Sequence, residues 1–415
     1  MVKTITFILS LIIIVISCQP PSTETSHSEP NWGDTLTFKL NSLHESGYIN
    51  GFGAAVVNEK EVLYAEGIGF ANTKNNTAYT ENTIQNIGSV SKTFIGIALL
   101  KAQELGKLDL DDPVADYLPF EVKNPAFPDV PITIRQLTTH TSSILDTDYY
   151  DERSYILKDD VPVSDSLKAI SENFNLSDSK MPLIDFLEKI LSDRGEWYEE
   201  AGFSKNKPGE IYEYSNIGAT LAAAVLEMAT EKSFNEFATD HILKPLKMTS
   251  SGWSFEDIEL SVHSTLYANP GTELPYYSLI TYPDGGLITS ISDLGKYLSE
   301  LIKGHSGEGT LLTFASYQEL FKEQLQAKNL PDRDDENDFD DEYNTGIFMG
   351  FTPKGYVGHT GGDPGIATFM FFDPATKTGR ILMINTSVRG SGGVDQFYSI
   401  WNALGEYEKR LNPVK

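Results

Sequence analysis

Beyond residue 34 the apolar positions fall into two regimes. "GFGAAVVNEKEVLYAEGIGFAN" (51–72) carries two short apolar runs broken at Asn58-Glu59-Lys60, which predicts two strands around a turn. The last third has the same character: "TGIFMGF" (345–351), "GYVGHT" (355–360), "GIATFMFF" (365–372) and "GRILMIN" (379–385) read as strands joined by tight turns. Between these ends the apolar spacing is helical. "SKTFIGIALLKAQELG" (91–106), "LIDFLEKILSD" (183–193), "SNIGATLAAAVLEMATEKS" (215–233) and "FNEFATDHILKPL" (234–246) predict helices, the first stopped by Gly106. "DGGLITSISDLGKYLSELIKG" (284–304) predicts a turn and a helix, with Ser292 as N-cap before Leu294. "ITIRQLTTHTSSI" (132–144) starts as a short β-like run and turns irregular, while "TLTFKLNSLHESG" (35–47) and a closing segment near 394–410 predict flanking helices. Strands at both ends and helices between them predict an α+β fold. Its sheet is built from the two chain ends, with a helical lobe inserted over roughly residues 87–284.

Composition narrows the function. The 415 residues, 40% of them hydrophobic, are enough for one large domain or two lobes. A formal net charge of −27 with no basic stripe excludes a nucleic-acid binder and keeps the surface soluble. The run "DRDDENDFDDE" (332–342) alternates carboxylates but lacks the turn glycine and ordered spacing of a calcium loop, so it reads as a solvated loop. At the start, Lys3 precedes an apolar run, Ile5 to Ile16, too short to span a bilayer, where about 20 apolar residues are needed. It reads as a secretory signal over 1–17. "VISC" (15–18) resembles the bacterial lipobox, and Cys18 is the one cysteine in the chain, which makes lipidation its expected use. Residues 18–33, rich in Pro, Ser and Thr, then read as a flexible tether to a domain over 34–410. The expected protein is an exported bacterial lipoprotein, held on a membrane through Cys18, with its domain in the periplasm or at the cell surface.

Several chemistries are missing. There is no G-x-S-x-G nucleophile elbow, no H-E-x-x-H, no G-x-G-x-x-G and no P-loop, and the seven histidines lack metal-ligand spacing, so no cofactor or metal is expected. What remains is a serine with a lysine three positions on. In "IGSVSKTF" (87–94), Ser89 and Lys92 share one face within a turn if a helix starts at Ser89. A hydroxyl there sits at the positive end of the helix dipole, and a desolvated lysine of lowered pKa can take its proton. The bland alternative is an N-cap serine followed by a surface lysine. Ser177/Lys180 and Ser204/Lys207 repeat the spacing, but Pro182 and Pro208 follow closely and suit a helix interior badly. Tyr-x-Asn occurs at Tyr48, Tyr214 and Tyr267, and only Tyr214-Ser215-Asn216 opens a buried-type helix. Tyr214 beside Lys92 could act as general base and acid, with Asn216 holding the lysine and a substrate amide; the alternative is a core tyrosine at a helix cap.

The blocks "IGSVSKTF", "LDLDDPVADYLP", "ITIRQLTTHTSS", "PGEIYEYSNIG", "GGLITSISDLGKYL" and "GHTGGDPG…FFDP" occur in one order. Together, from about residue 35 to 405, the chain resembles the serine β-lactamase-related family, which includes class C β-lactamases, serine DD-carboxypeptidases, D-aminopeptidases and esterases. The resemblance implies an antiparallel sheet flanked by helices, a helical lobe, and a site in the cleft between them. It also implies Ser89 as nucleophile, Lys92 as its activator, Tyr214 as shared acid/base and Asn216 as substrate ligand. Two departures stand out: Ser142-Ser143 replaces the usual Ser-Gly, and residues 146–205 are longer than common. Together with 255–284, that stretch would shape the mouth of the pocket.

The family's third motif has three candidates here. His305-Ser306-Gly307 follows a helix end, and Lys377-Thr378-Gly379 falls in a hairpin connection after Asp373-Pro374. His359-Thr360-Gly361 instead ends the strand "GYVGHT", and with Gly362 it leaves room for close approach of a substrate backbone. Family order agrees with His359, so His359, Thr360, Gly361 and Gly362 are the expected substrate-binding group, with the N–H groups of Ser89 and Gly362 as oxyanion donors. A histidine, mostly neutral near pH 7, still offers a hydrogen bond but no fixed charge for a carboxylate. Arg389 is a candidate for that charge, though a surface role suits it better. These features favour a serine hydrolase acting on D-amino-acid peptides or small esters. The alternatives are a penicillin-binding cell-wall sensor acylated without turnover, and a weak class C-like β-lactamase.

Overall fold

Two neighbouring strands of the sheet have no solvent face, and the fold is laid out around the first of them. In this computed structural model, which describes residues 31–159, 161, 174–331, 333, 345–388 and 390–413, every residue of β1 (Gly51–Asn58) is buried. Along β1 successive side chains point to opposite faces. Phe52, Ala54 and Val56 pack with Leu36 and Leu40 of α1 (Trp32–His44) and with Phe397, Ile400, Trp401 and Leu404 of the closing helix (Gly390–Leu411). Ala55 and Val57 join the second core, with Ile291, Leu294, Leu298 and Leu301 of the helix Ile291–His305. Two covered faces explain why "GFGAAVV" is apolar without alternation.

The main sheet has seven strands: β1, β2 (Val62–Asn72), β3 (Thr77–Ala78), β4 (Gly350–Phe351), β5 (Val357–Asp363), β6 (Ile366–Asp373) and β7 (Thr378–Ile384). Their spatial order is β4-β5-β6-β7-β1-β2-β3, with every pair antiparallel. The two chain ends meet where β1 pairs β7, from Phe52 opposite Ile384 to Asn58 opposite Thr378. Between β3 and β4 runs the helical part. It includes α2 (Lys92–Glu104), α3 (Asn216–Thr230) and the helix already met, α4 (Ile291–His305); the closing helix is α5. In α2 every residue from Lys92 to Leu100 is buried, the mark of a helix that is apolar nearly all round. Phe94 of α2 stacks on Tyr297 of α4 with ring centroids 3.8 Å apart, which ties this core to the sheet. This is the α+β architecture, antiparallel sheet and flanking helices, that the hydrophobic pattern and the resemblance imply.

Local details differ from the pattern. The N-cap of α4 is Ser290, whose hydroxyl accepts from the Asp293 N–H at 3.2 Å, so Ser292 lies inside the first turn. The β-like run at 132–138 is a short helix, Ile134–Thr138, because Thr133 and Gln136 form a reciprocal capping box that satisfies its first N–H groups. "TGIFMGF" is strand only at Gly350–Phe351: Phe348 takes a positive φ of 48° and its N–H goes to the Thr138 carbonyl instead of a neighbouring strand. The two mouth-shaping stretches pair with each other. Tyr155–Leu157 runs antiparallel to Tyr277–Leu279 and parallel to Phe174–Asn175, making a small three-stranded sheet. Cys18, Arg389 and, apart from Arg333, the acidic run 332–342 lie outside the described residues. Among the described residues no helix is long and apolar enough to cross a membrane.

Trp401 is the largest side chain that joins α5 to the sheet. It is fully buried, with the rings of Phe369 and Phe371 at 5.4 and 6.2 Å and the Arg380 guanidinium 4.3 Å from its ring centre. Trp401→Ala should lower unfolding free energy by about 3–5 kcal/mol in a urea titration. A loss below about 1 kcal/mol would show that α5 does not carry this face of the core.

Candidate active site

Ser89 stands on a tight turn that only glycine permits. Gly88–Ser91 forms one turn of 3-10 helix and α2 begins at Lys92, so the serine precedes the α-helix instead of opening it. Gly88 has a φ of +58°, and a Cβ there would lie 2.8 Å from the Gly362 nitrogen. Ser89 is partly exposed and Lys92 is fully buried. Lys92 Nζ lies 3.0 Å from Ser89 Oγ, 2.7 Å from Asn216 Oδ1 and 2.9 Å from the Asp284 carbonyl. Three contacts match the three protons of an ammonium. They also suit a neutral amine: two N–H groups keep Asn216 and Asp284, and the freed lone pair faces the serine hydroxyl. Burial pushes the Lys92 pKa down, and the negative charges of Asp284, Asp146 and Asp363 work against that shift.

Asn216 and Tyr214 sit at the N-terminus of α3. The Ser215 hydroxyl caps the helix by accepting from Gly218 N–H at 3.0 Å. A second cap comes from Asp146, a residue that the motifs did not single out. Its carboxylate accepts from the Asn216 N–H at 3.0 Å, the Ile217 N–H at 2.9 Å, the Ser215 hydroxyl at 3.2 Å and the Asn216 Nδ2 at 2.8 Å. The last bond orients the amide: with Nδ2 on a carboxylate, Oδ1 is left for Lys92. No spacing rule links Asp146 to a helix that starts 70 positions later. Tyr214 is 38% exposed, its ring centre 5.2 Å from Lys92 Nζ and 6.5 Å from the His359 ring.

The third wall is β5. The strand continues through Gly361 and Gly362 to Asp363, pairing Gly361 with Thr368, so His359 lies mid-strand and does not end it. The missing side chain of Gly361 makes room for this chain's own backbone, since a Cβ there would lie 2.1 Å from the Ile87 carbonyl and 3.1 Å from Ser89 N. Gly362 by contrast faces open space. β5 thus packs directly against the turn at Gly88, with Gly361 and Gly362 beside the backbone of Ile87, Gly88 and Ser89. His359 is buried and its Nδ1 is 2.5 Å from the Thr360 carbonyl. A carbonyl only accepts, so Nδ1 carries the proton and its donor is already spent, contrary to the hydrogen bond expected of it toward a substrate. Burial first, then the charge of Lys92, push its pKa down to about 3. His359 is therefore neutral at any ordinary pH.

Two further carboxyl groups line the far side of Lys92. Asp284, on the turn Tyr282–Gly285, accepts from Tyr150 OH at 2.8 Å and Thr220 Oγ1 at 2.7 Å, and burial pushes its pKa up to about 6. Asp363 accepts from Tyr155 OH at 2.5 Å, and its enclosed Oδ2 finds no partner among the described residues. Burial, aided by Asp284, pushes its pKa up to about 7. The structure thus brings Ser89, Lys92, Tyr214, Asn216, His359, Thr360, Gly361 and Gly362 into one place and leaves the other candidates out. Lys377 sits in the β6–β7 turn at φ 54°, at the end of β6 opposite Asp363; eight residues of strand put the two ends about 23 Å apart. Ser306 is the C-cap of α4, and the Tyr267 hydroxyl accepts from the Thr73 N–H at 2.9 Å. Among the described residues no group of three His, Cys, Asp or Glu side chains is placed to share a metal.

If Asp146 fixes the Asn216 amide, Asp146→Asn should slow Ser89 labelling by a fluorophosphonate at least about tenfold, because each carboxylate oxygen accepts from two of the four donors and an NH2 in place of either faces both of its pair. Labelling at the wild-type rate would remove Asp146 from the site.

Comparison with known proteins bears on the fold and the family. The structure superposes on the octameric penicillin-binding protein homologue from Pyrococcus abyssi with a TM-score of 0.69 at 22% identity, covering 92% of this chain and 80% of that one. On the penicillin binding protein from Bacillus halodurans the TM-score is 0.61 at 23% identity, covering 88% and 99%. At such identities these matches establish the fold. In sequence, the chain is 25% identical over 258 residues to Protein flp of Staphylococcus aureus (strain MW2), covering 61% of this chain and 46% of that protein. It is 27% identical over 294 residues to the mouse mitochondrial serine beta-lactamase-like protein LACTB, covering 60% and 53%. The chain thus spans about half the length of the curated relatives it matches. The family model described as Beta-lactamase matches residues 39–404, and the chain belongs to that family.

Proposed function

We propose that the protein is a serine hydrolase that works through an acyl-enzyme on Ser89. The observation that carries this is the placement of Lys92 Nζ, buried and within hydrogen-bond reach of Ser89 Oγ, Asn216 Oδ1 and the Asp284 carbonyl at once. As a neutral amine, Lys92 takes the proton of the serine hydroxyl while Oγ bonds to the substrate carbonyl carbon. The oxygen that becomes negative is met by the N–H groups of Ser89 and Gly362. Collapse of the tetrahedral adduct breaks the bond to the leaving group, which receives a proton from Tyr214, and leaves the acyl group on Ser89. Water then attacks the ester with the same groups acting in reverse.

The electrostatics favour substrates without a carboxylate. A neutral His359 stands where a lysine would supply fixed charge, and Asp146, Asp284 and Asp363 surround Lys92. Small esters are therefore the preferred class, ahead of D-alanyl peptides with a free C-terminus and of β-lactams, which also carry a carboxylate. The penicillin-binding relatives support a second outcome, an adduct that forms and persists; its lifetime separates a sensor from a hydrolase.

Intact mass after fluorophosphonate treatment should show one adduct that Ser89→Ala abolishes, and a p-nitrophenyl ester should turn over faster than a D-Ala-D-Ala peptide or nitrocefin. Nitrocefin as the fastest of the three would overturn the substrate order, and no Ser89 adduct would overturn the function. Because burial lowers the Lys92 pKa, the amine form grows as pH rises, and the acylation rate should climb to a plateau whose midpoint lies below the ordinary lysine value of about 10.4. Lys92→Arg, which cannot lose its proton, should cost about 10³-fold or more at every pH. We also propose that Cys18 anchors the protein by acylation. Cells expressing the full chain should incorporate a palmitate analogue into it and retain it in the membrane fraction, and Cys18→Ser should lose both; an unlabelled wild type refutes the anchor.

A further inference from the structure

One histidine near the site holds the segment around Tyr214 from three directions. His140 has a backbone φ of 52°, the left-handed region that a residue with a side chain rarely occupies. Strain of this kind persists where the surroundings dictate it. Here it turns the two acceptors of one residue toward the same stretch of chain. The His140 carbonyl accepts from the Glu213 N–H at 2.8 Å, and His140 Nδ1 accepts from the Ser215 N–H at 3.1 Å. Those amides flank Tyr214 on either side. Between them the His140 ring lies on the Tyr214 ring, with centroids 4.4 Å apart and planes at 28°. The imidazole is itself held edge-on by Tyr212 at 5.8 Å and Phe348 at 5.5 Å.

The tautomer follows from the same contacts. An amide N–H only donates, so Nδ1 must be unprotonated and the proton of the neutral ring sits on Nε2, which is buried without a hydrogen-bond partner among the described residues. An imidazolium would turn Nδ1 into a donor facing the Ser215 N–H, so the clamp needs the neutral ring. Burial, followed by the charge of Lys92, holds the His140 pKa well below its ordinary value and keeps the ring in that form.

Tyr214 needs such support. It precedes α3 on irregular backbone and is 38% exposed, so burial alone does not set its ring. We infer that His140 is a positioning residue for the Tyr214 hydroxyl: it sets the tyrosine's backbone through two amide bonds and its ring through stacking, without touching substrate. This rests on the acyl-enzyme reading of Ser89 and adds to it a residue that acts through Tyr214.

A double-mutant cycle with an activated p-nitrophenyl ester tests it. His140→Asn keeps an acceptor near the Nδ1 position and tolerates the left-handed backbone but loses the ring; His140→Phe keeps a ring and loses the acceptor. With Tyr214 present, each should lower kcat about tenfold with KM nearly unchanged, as expected for a displaced catalytic group. In a Tyr214→Phe background, which lacks the hydroxyl to be positioned, each should change kcat by less than about twofold. Wild-type kcat in both variants, or an equal loss in both backgrounds, overturns the inference, the second because a general structural role would give it. Thermal midpoints identify a variant that fails to fold, and the other variant then decides. Loss of turnover in Ser89→Ala must accompany all of this. A wild type that neither turns over the ester nor labels at Ser89 removes the Ser89 reading and this inference together, whereas Ser89-dependent turnover with unaffected His140 variants removes this inference alone.

Discussion

A lysine side chain with no water around it must find all its partners in protein, and the site is arranged around that requirement. Lys92 Nζ meets a side chain on the turn before α2, another at the start of α3, and a backbone carbonyl on the turn at Asp284. Two of these partners are then secured by a second set of contacts. Asn216 is oriented by Asp146, and the Asp284 segment is pinned by Tyr150 and Thr220. A buried charge without partners costs several kcal/mol, so the fold cannot place Lys92 there without also placing the rest. The same burial that makes the lysine expensive lowers its pKa and so leaves more of it as the free amine.

The balance of charge around this amine is unusual in one respect. Three carboxyl groups are near it, yet two of them are themselves driven toward neutrality by burial, Asp284 to about 6 and Asp363 to about 7. Near pH 7 the number of negative charges around Lys92 is therefore not fixed. Ionised, they favour the ammonium; protonated, they release it to the amine. These groups form a coupled set, and the pH behaviour of the site belongs to the set and not to Lys92 alone.

Much of this was legible before any coordinates. The helical spacing of 91–106 and 215–233, the short strands at both ends, and the order of the blocks placed Ser89, Lys92, Tyr214 and Asn216 on elements that do converge. The choice of His359 over Lys377 was readable because "DPATKTG" is turn chemistry, and the structure keeps Lys377 in a turn. What stayed hidden depends on contacts between distant segments. Asp146, Asp284 and Asp363 are ordinary loop or strand-end acids in the sequence, and their weight comes only from partners on distant segments: the start of α3 for Asp146, Tyr150 and Thr220 for Asp284, and Tyr155 for Asp363. The cap at Ser290 and the helix at Ile134–Thr138 were missed for a local reason, since side-chain caps outweighed the apolar pattern by a residue or two. His140 was visible as part of a block, but nothing in "TTHTSS" announces a left-handed backbone.

The closure of the sheet by its two chain ends sets a schedule for assembly. Gly51 gives its N–H to the Asn385 side chain, 334 positions later, and β1 has β7 as a neighbour along nearly its whole length. A ribosome that has delivered β1, the serine turn and all of α2 and α3 has delivered most of the chemistry, yet β1 still has one bare edge and β5 does not exist. Ser89 then has its lysine but not the strand that packs against its turn. Contacts of such long sequence separation form slowly, and until they form an apolar strand stands open to wrong partners. On the proposed acyl-enzyme function the nascent chain is inert by topology, because Ser89 meets Gly362 only when the last strands arrive.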